Sequence, residues 1–282
     1  VEVTGEDLSS NDKVIVVSDI NSCGNVTDST NGNLTVINAA LSDMASSHFQ
    51  EFRLGRLAHS GLFLVCYCAF FGYDGNTGHC SSYIDFFQLA GHVVVRGPLV
   101  GKSNCDATKA CSVRITGYEL TDGDFVMVCG MDRVCGTEER CDTSQAGLLN
   151  PSRPVVEEGA VAVAHYALGR FAASAYQLCY CVSTSSTLQQ QPSCSTPGDA
   201  GLVAGQLIVR GAYSMQQLYC FRSYMCQIGV DGFYVNAMDQ LVLGAMGSTC
   251  GESISSVPGF ELMPIQATAL HIGENEGVST VM

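Results

Sequence analysis

Lysine is scarce in this chain, which holds only Lys13, Lys102 and Lys109 in 282 residues. With the arginines they make 13 cations against 27 carboxylates, a formal net charge of −14. So few cations cannot neutralise a run of phosphates, which argues against nucleic acid and anionic lipid as partners. Long apolar runs are missing as well. The best, Leu62 to Phe71, has ten residues and contains two cysteines. It reads as a buried strand, and no membrane insertion is expected. Catalytic signatures are also lacking: there is no Gly-x-Ser-x-Gly elbow, no phosphate loop and no Ser/His/Asp set with supportive context. The chain opens on Val1 with neither initiator Met nor signal peptide, and so reads as a mature or excerpted segment.

Cysteine is abundant, at 15 residues. Outside metal clusters that number points to an oxidising compartment and an extracellular or cell-surface location. Hydrophobic residues make up 46% and charged residues 14%, a composition that supports packed cores. Thirty Gly with frequent Val, Tyr, Ser and Thr suit short strands joined by turns.

The chain resembles itself. Val3-Thr-Gly5 returns as Ile115-Thr-Gly117, and Cys23-Gly24 as Cys135-Gly136. Leu54-Gly-Arg56 returns as Leu168-Gly-Arg170, and Cys66-Tyr-Cys68 as Cys179-Tyr-Cys181. Leu89-Ala-Gly-His-Val-Val-Val-Arg-Gly97 returns as Val203-Ala-Gly-Gln-Leu-Ile-Val-Arg-Gly211. Cys105-x5-Cys111 then recurs as Cys220-x5-Cys226, and Cys135-Gly136 as Cys250-Gly251. A fixed order of landmarks at a spacing of about 115 residues is the mark of one supersecondary plan used repeatedly. The expected units are 1–99, 100–213 and an incomplete third at 214–282, with short linkers near Leu99–Asn104 and Ala212–Gln217.

Strand signals dominate each unit. Asp12–Val17 and Asp124–Cys129 read as buried strands after turns, and Ala175–Cys181 alternates with period two. That alternation puts Tyr176, Leu178 and Tyr180 on one face and Gln177, Cys179 and Cys181 on the other. Val113–Leu120, Val155–Leu168 and Gln206–Arg210 complete six or seven strands. The expected fold is all-β, a tandem array of disulfide-stapled antiparallel sandwiches of immunoglobulin-like type. Asn38–Phe52 is the exception, reading as a helical turn or a long crossing between sheets.

Cysteines two apart on a strand share a face and do not readily bond each other. Cys66 and Cys68 therefore need separate partners. The simplest scheme is Cys23–Cys66, Cys68–Cys80, Cys135–Cys179, Cys181–Cys194, Cys105–Cys111, Cys220–Cys226 and Cys129–Cys141, leaving Cys250 unpaired within the chain. Other pairings stay open, since eight cysteines alone allow 105 connectivities. Closing a loop of about 44 residues contributes roughly 4 kcal/mol in the chain-entropy model.

A zinc reading of Cys66-x-Cys68 with His79-Cys80 is weighed against a disulfide. Copy two has Ser193 where copy one has His79, so the disulfide is preferred. Cys-x-Cys within a strand is also unlike the Cys-x-x-Cys of redox enzymes. The turns Asp74–His79 and Thr121–Asp124 carry oxygens but fall short of a calcium loop. No metal, cofactor or catalytic residue is assigned. Arg96 and Arg210 recur on the last strand, where an ion pair or an edge-guarding charge accounts for them. Asn25-Val-Thr27 and Asn33-Leu-Thr35 are glycan acceptor sequences in a polar stretch, so covalent glycans are expected at Asn25 and Asn33.

The motifs Tyr176-x-Leu-Cys-Tyr-Cys181 and Gly205-x-Leu-x-Val-Arg-Gly211 resemble repeats of very large secreted proteins of unicellular eukaryotes, of the flagellar-hair or extracellular-filament type. The resemblance implies units that stack or string into a fibre and no catalytic residues. The expected function is that of a structural protomer whose partner is itself, as a homopolymer or helical filament. A second reading is an adhesin or receptor-like ectodomain whose loops at 70–80 and 183–200 bind glycan or protein.

Overall fold

The computed structural model describes residues 1–6, 8–18, 23–24, 37–38, 48–54, 57, 59–70, 80, 82–107, 109–137, 149–183, 194, 196–222, 228–236, 238–242, 265–266, 270–272 and 278–281. Among them the chain is all-β, with two 3₁₀ turns, Tyr83–Asp85 and Pro197–Asp199, as its only helical elements. Contacts divide it into two units. The first is Val1–Leu99 with Thr116–Leu120 and Glu157–Ala162. The second is Val100–Ile115 with Thr121–Val156 and Val163–Met282, so residues 214–282 group with the second unit.

The first unit contains β1 (Glu2–Thr4), β2 (Lys13–Ser18), β3 (Ile37–Asn38), β4 (Phe49–Glu51), β5 (Gly61–Cys68), β6 (Gln88–Val95) and β7 (Gly97–Pro98). Its main sheet runs β3-β2-β5-β6, all antiparallel, and β1 pairs with β4 in a separate ladder. Period-two alternation on β5 explains how both faces of the main sheet are buried. Val65 and Tyr67 point to one side, where they meet Val14, Val3 and Phe52. Cys66 points to the other and, with Cys68, packs among Ile15, Val17, Cys80 and Phe86. The segment expected as helical begins and ends in strand, as β3 and β4; its middle lies outside the described residues.

From Gly101 onward lie β8 (Gly101–Asp106), β9 (Cys111–Tyr118), β10 (Phe125–Gly130), β11 (Val156–Glu158), β12 (Val161–Gly169), β13 (Ser174–Cys181) and β14 (Leu202–Ala212). They are followed by β15 (Val230–Phe233), β16 (Gln240–Leu241), β17 (Ile265–Gln266), β18 (Leu270–Ile272) and β19 (Val278–Val281). One sheet has the order β10-β13-β14-β15-β19-β18, with β8 also on β14. Another has the order β11-β12-β9-β7. Cys179 and Cys181 on β13 pack with Met127, Cys129, Cys194 and Ala200. Tyr180 lies edge-on to Tyr166, ring centroids 6.4 Å apart.

The ladders of the two sequence copies share their register. Lys13 opposes Cys68 as Phe125 opposes Cys181, and Leu64 opposes His92 as Gln177 opposes Gln206. Each carries a bulge at the same place, between Val65 and Cys66 and between Leu178 and Cys179. Two expectations are corrected. Leu99–Asn104 is not a linker: Gly101–Asp106 forms β8, parallel to Gly205–Arg210 of β14. Val155–Leu168 is not one strand, because Gly159, at φ +66, turns the chain between β11 and β12.

Candidate functional site

Two constructions recur along the chain, one that holds each sheet and one that joins successive copies. The first is a buried aspartate at the start of a strand. In copy one, Asp12 accepts hydrogen bonds from Ser9 N (2.7 Å), Phe70 N (2.8 Å) and the Tyr67 hydroxyl. In copy two, Asp124 accepts from Thr121 N (2.8 Å), Ser183 N (2.8 Å) and the Tyr180 hydroxyl (3.0 Å). Asp12 is 2% exposed and Asp124 is fully buried. A buried carboxylate is tolerable only with its lone pairs occupied, and here three donors converge on each. The turn is present a third time, where Asp239 accepts from Asn236 N at 2.8 Å. Burial, foremost, drives the Tyr67 and Tyr180 phenols well above the usual tyrosine range, and the neighbouring aspartate adds to this.

The second construction is the junction. Gly97 and Pro98 of β7 pair with Tyr118 and Gly117 at the end of β9, and Leu99 N donates to Thr116 O at 2.8 Å. One copy later, Gly211 and Ala212 pair with Phe233 and Gly232, and Tyr213 N donates to Asp231 O at 2.9 Å. The equivalences are residue for residue. Both joints require a glycine with no side chain: a Cβ on Gly117 would stand 2.3 Å from Gly97 O, and one on Gly232 would stand 2.4 Å from Gly211 O. The chain then kinks in the same way, with Glu119 at φ +48 and Tyr234 at φ +52.

Arginines precede both joints. Arg96 Nε donates to Glu119 O at 2.6 Å, whereas Arg210 Nε meets Asp106 Oδ1 at 2.6 Å. The hydrogen bond from Arg210, with help from Lys109, holds the Asp106 carboxyl below the ordinary carboxylate range. Beside this pair a groove of about 790 Å³ runs within the second unit, with Lys102, Gln206, Arg210, Phe233 and Tyr234 among its walls.

The disulfides sit behind the sheets. Cys23 is bonded to Cys66, Cys68 to Cys80, Cys135 to Cys179, Cys181 to Cys194 and Cys105 to Cys111, each a pair expected from the spacing. Cys129 and Cys220 are also disulfide-bonded. Cys141, Cys226 and Cys250 lie outside the described residues, as do Asn25, Asn33, His79 and nearly all of the loops at 70–80 and 183–200. Among the described residues no group of three or more His, Cys, Asp or Glu could hold a metal, and no helix is long and apolar enough to cross a membrane. The acceptor role of the buried aspartates and the close approach at the joint glycines go beyond the sequence reading, which takes these residues as turn formers and repeat landmarks. Their signal was present as Ser9-x-x-Asp12, Thr121-x-x-Asp124 and Asn236-x-x-Asp239, one motif at the repeat spacing. Compared with family models, with curated proteins and with solved structures, the chain finds no match, so its own geometry carries the reading of function.

Proposed function

We propose that this protein is a structural protomer of an extracellular, glycosylated fibre or surface filament, built from tandem immunoglobulin-like β-sandwiches and without catalytic activity. The observation that carries the reading is the duplicated joint. Short, glycine-dependent backbone pairing at 97–99 with 116–118, and again at 211–213 with 231–233, supports a chain whose copies are linked by one recurring connection. A flexible tether would need no such matching hydrogen bonds. Disulfides behind each sheet suit a material exposed to an oxidising exterior. Material purified under non-reducing conditions and viewed by electron microscopy should contain filaments with an axial period set by the copy. Monodisperse single particles at high concentration would contradict the proposal.

The groove beside Arg210 favours the second reading, in which the chain is an adhesin-like module. Amide, cationic and aromatic side chains together suit a sugar ring. A glycan array would favour it through one tight ligand whose binding is lost in Tyr234→Ala.

A further inference from the structure

The groove beside Arg210 is built on one face of a sheet. On β14 the buried Leu207 and Val209 point to one side, so Gln206, Ile208 and Arg210 point to the other. The register sets Lys102, Asn104 and Asp106 of β8 beside them in that order, and Ala175 of β13 beside Ile208. Ala175 and Ile208 form a low floor between the longer side chains. Lys102 stands at one end. Phe233 and Tyr234 stand at the other, ring edge to ring face with centroids 4.8 Å apart.

Copy one carries the equivalent face, and its differences are informative. There His92, Val94 and Glu119 take the places of Gln206, Ile208 and Tyr234, and all three are exposed although the whole of copy two follows them. Openness of this face thus recurs in a copy with a complete successor. Leu62 opposes Val94 as Ala175 opposes Ile208, so the exchange to alanine deepens the floor in copy two. Tyr234 in place of Glu119 puts an aromatic ring where copy one has a carboxylate.

The charges are unevenly satisfied. Arg210 and Lys109 both hold Asp106, at 2.6 Å and 3.2 Å, and Asp239 also acts on Arg210. Lys102 enters no ion pair among the described residues, and its side chain and those of Asn104 and Gln206 have no hydrogen-bond partner there. One ammonium and two amides are left to a ligand. A carboxylate suits this set, because its two oxygens accept from several donors at once. Tyr234, 50% exposed, suits the C–H face of a sugar ring. From Lys102 to Asp106 the strand advances about 13 Å, more than one ring spans. The net charge of −14 works against a dense polyanion such as a heavily sulfated chain. A sugar acid with at most one carboxylate per ring meets both conditions.

We propose that the groove between Lys102 and Tyr234 binds an acidic oligosaccharide of the uronic-acid class, with a carboxylate on Lys102, Asn104 and Gln206 and a neighbouring ring on Tyr234. The inference rests on the adhesin-like reading and names its ligand class.

The test titrates the 282-residue chain by calorimetry with oligosaccharides of galacturonate, glucuronate, mannuronate and guluronate. Each is run beside its carboxyl-reduced counterpart and a sulfate ester of that counterpart. At least one uronate should bind about tenfold more tightly than its reduced form. The margin should shrink between roughly 0.05 M and 1 M salt. Lys102→Gln, at an exposed position, should keep the circular dichroism spectrum and bind acid and reduced forms alike, while Tyr234→Ala should weaken both. Equal binding of the two forms by wild type, a preference for the sulfate ester, or an acid preference that survives in Lys102→Gln would each overturn the proposal and leave the adhesin-like reading standing. A chain that binds none of these sugars would overturn the proposal together with the glycan-binding form of that reading.

Discussion

Replacing Asp124 by alanine removes an acceptor that three donors share, and the cost can be worked from those bonds. The Ser183 amide and the Tyr180 hydroxyl lose a partner in partly or fully buried surroundings, while the Thr121 amide at the exposed turn regains water. Hydrogen bonds to a charged group contribute about 1.5–3 kcal/mol each, and the three are not additive. A loss of about 3–4 kcal/mol follows, which for a unit of this size lowers its midpoint by roughly 6–16 °C. Asp124→Asn should be nearly as harmful, because its amide nitrogen turns two hydrogens toward donors. Tyr180→Phe removes one donor and leaves two, and should cost only about 1–1.5 kcal/mol. Urea unfolding under non-reducing conditions, followed by circular dichroism, measures all three. Two units need not melt together, so Asp12→Ala should move the transition that Asp124→Ala leaves in place. If Asp124→Asn stays within about 0.5 kcal/mol of wild type, the convergence of donors on this carboxylate is not what holds the strand, and the reasoning fails.

Three further outcomes are expected. Burial, as the main cause, raises the pKa values of the Tyr67, Tyr166 and Tyr180 phenols above the ordinary tyrosine value of about 10. Below pH 10 they are neutral both folded and unfolded, so their contribution is complete there. Above it the unfolded chain ionises first, and stability falls progressively as pH rises toward the folded values. Absorbance of tyrosinate should show these phenols titrating after the exposed ones, and their titration alongside exposed tyrosines would refute the burial. Gly117→Val should leave the Cys66 and Cys68 disulfides intact, yet accelerate hydrogen exchange at Leu99 and Tyr118 through loss of the joint; unchanged exchange would mean that the joint tolerates a side chain. Gln50 is buried, and neither its side-chain oxygen nor its nitrogen has a hydrogen-bond partner among the described residues. Gln50→Met should therefore stabilise the first unit by about 1–2 kcal/mol, read as a raised urea midpoint.

Much of the sheet framework was legible in advance because its signals are local. Cys66-Tyr-Cys68 carries its own face assignment through period two, and Val14–Val17 and Val126–Cys129 are apolar enough to be strands in any context. What escaped depends on distant residues. Asp12 and Asp124 look like ordinary turn formers. Their burial comes from donors on Phe70 and Ser183, more than fifty positions away. Gly101-Lys-Ser-Asn-Cys-Asp106 has little β propensity and reads as a linker; it becomes β8 because β14 offers an edge to which any backbone can bond. Gly117 looks dispensable until Gly97 is placed 2.3 Å from where its Cβ would be. The groove beside Arg210 joins residues more than a hundred positions apart and belongs to what local pattern does not reach.

The disulfides have a mechanical consequence. When the ends of a chain are pulled, force entering at Cys23 crosses directly to Cys66, and force entering at Cys68 crosses to Cys80. The residues between them stay slack. With separations of 43 and 12 residues, about 190 Å of contour in the first unit is withheld from extension. The bridges Cys135–Cys179 and Cys181–Cys194 withhold a similar length in the second. A tethered string of such units would yield in short steps and recoil quickly, and a reductant would lengthen each step without changing how many there are.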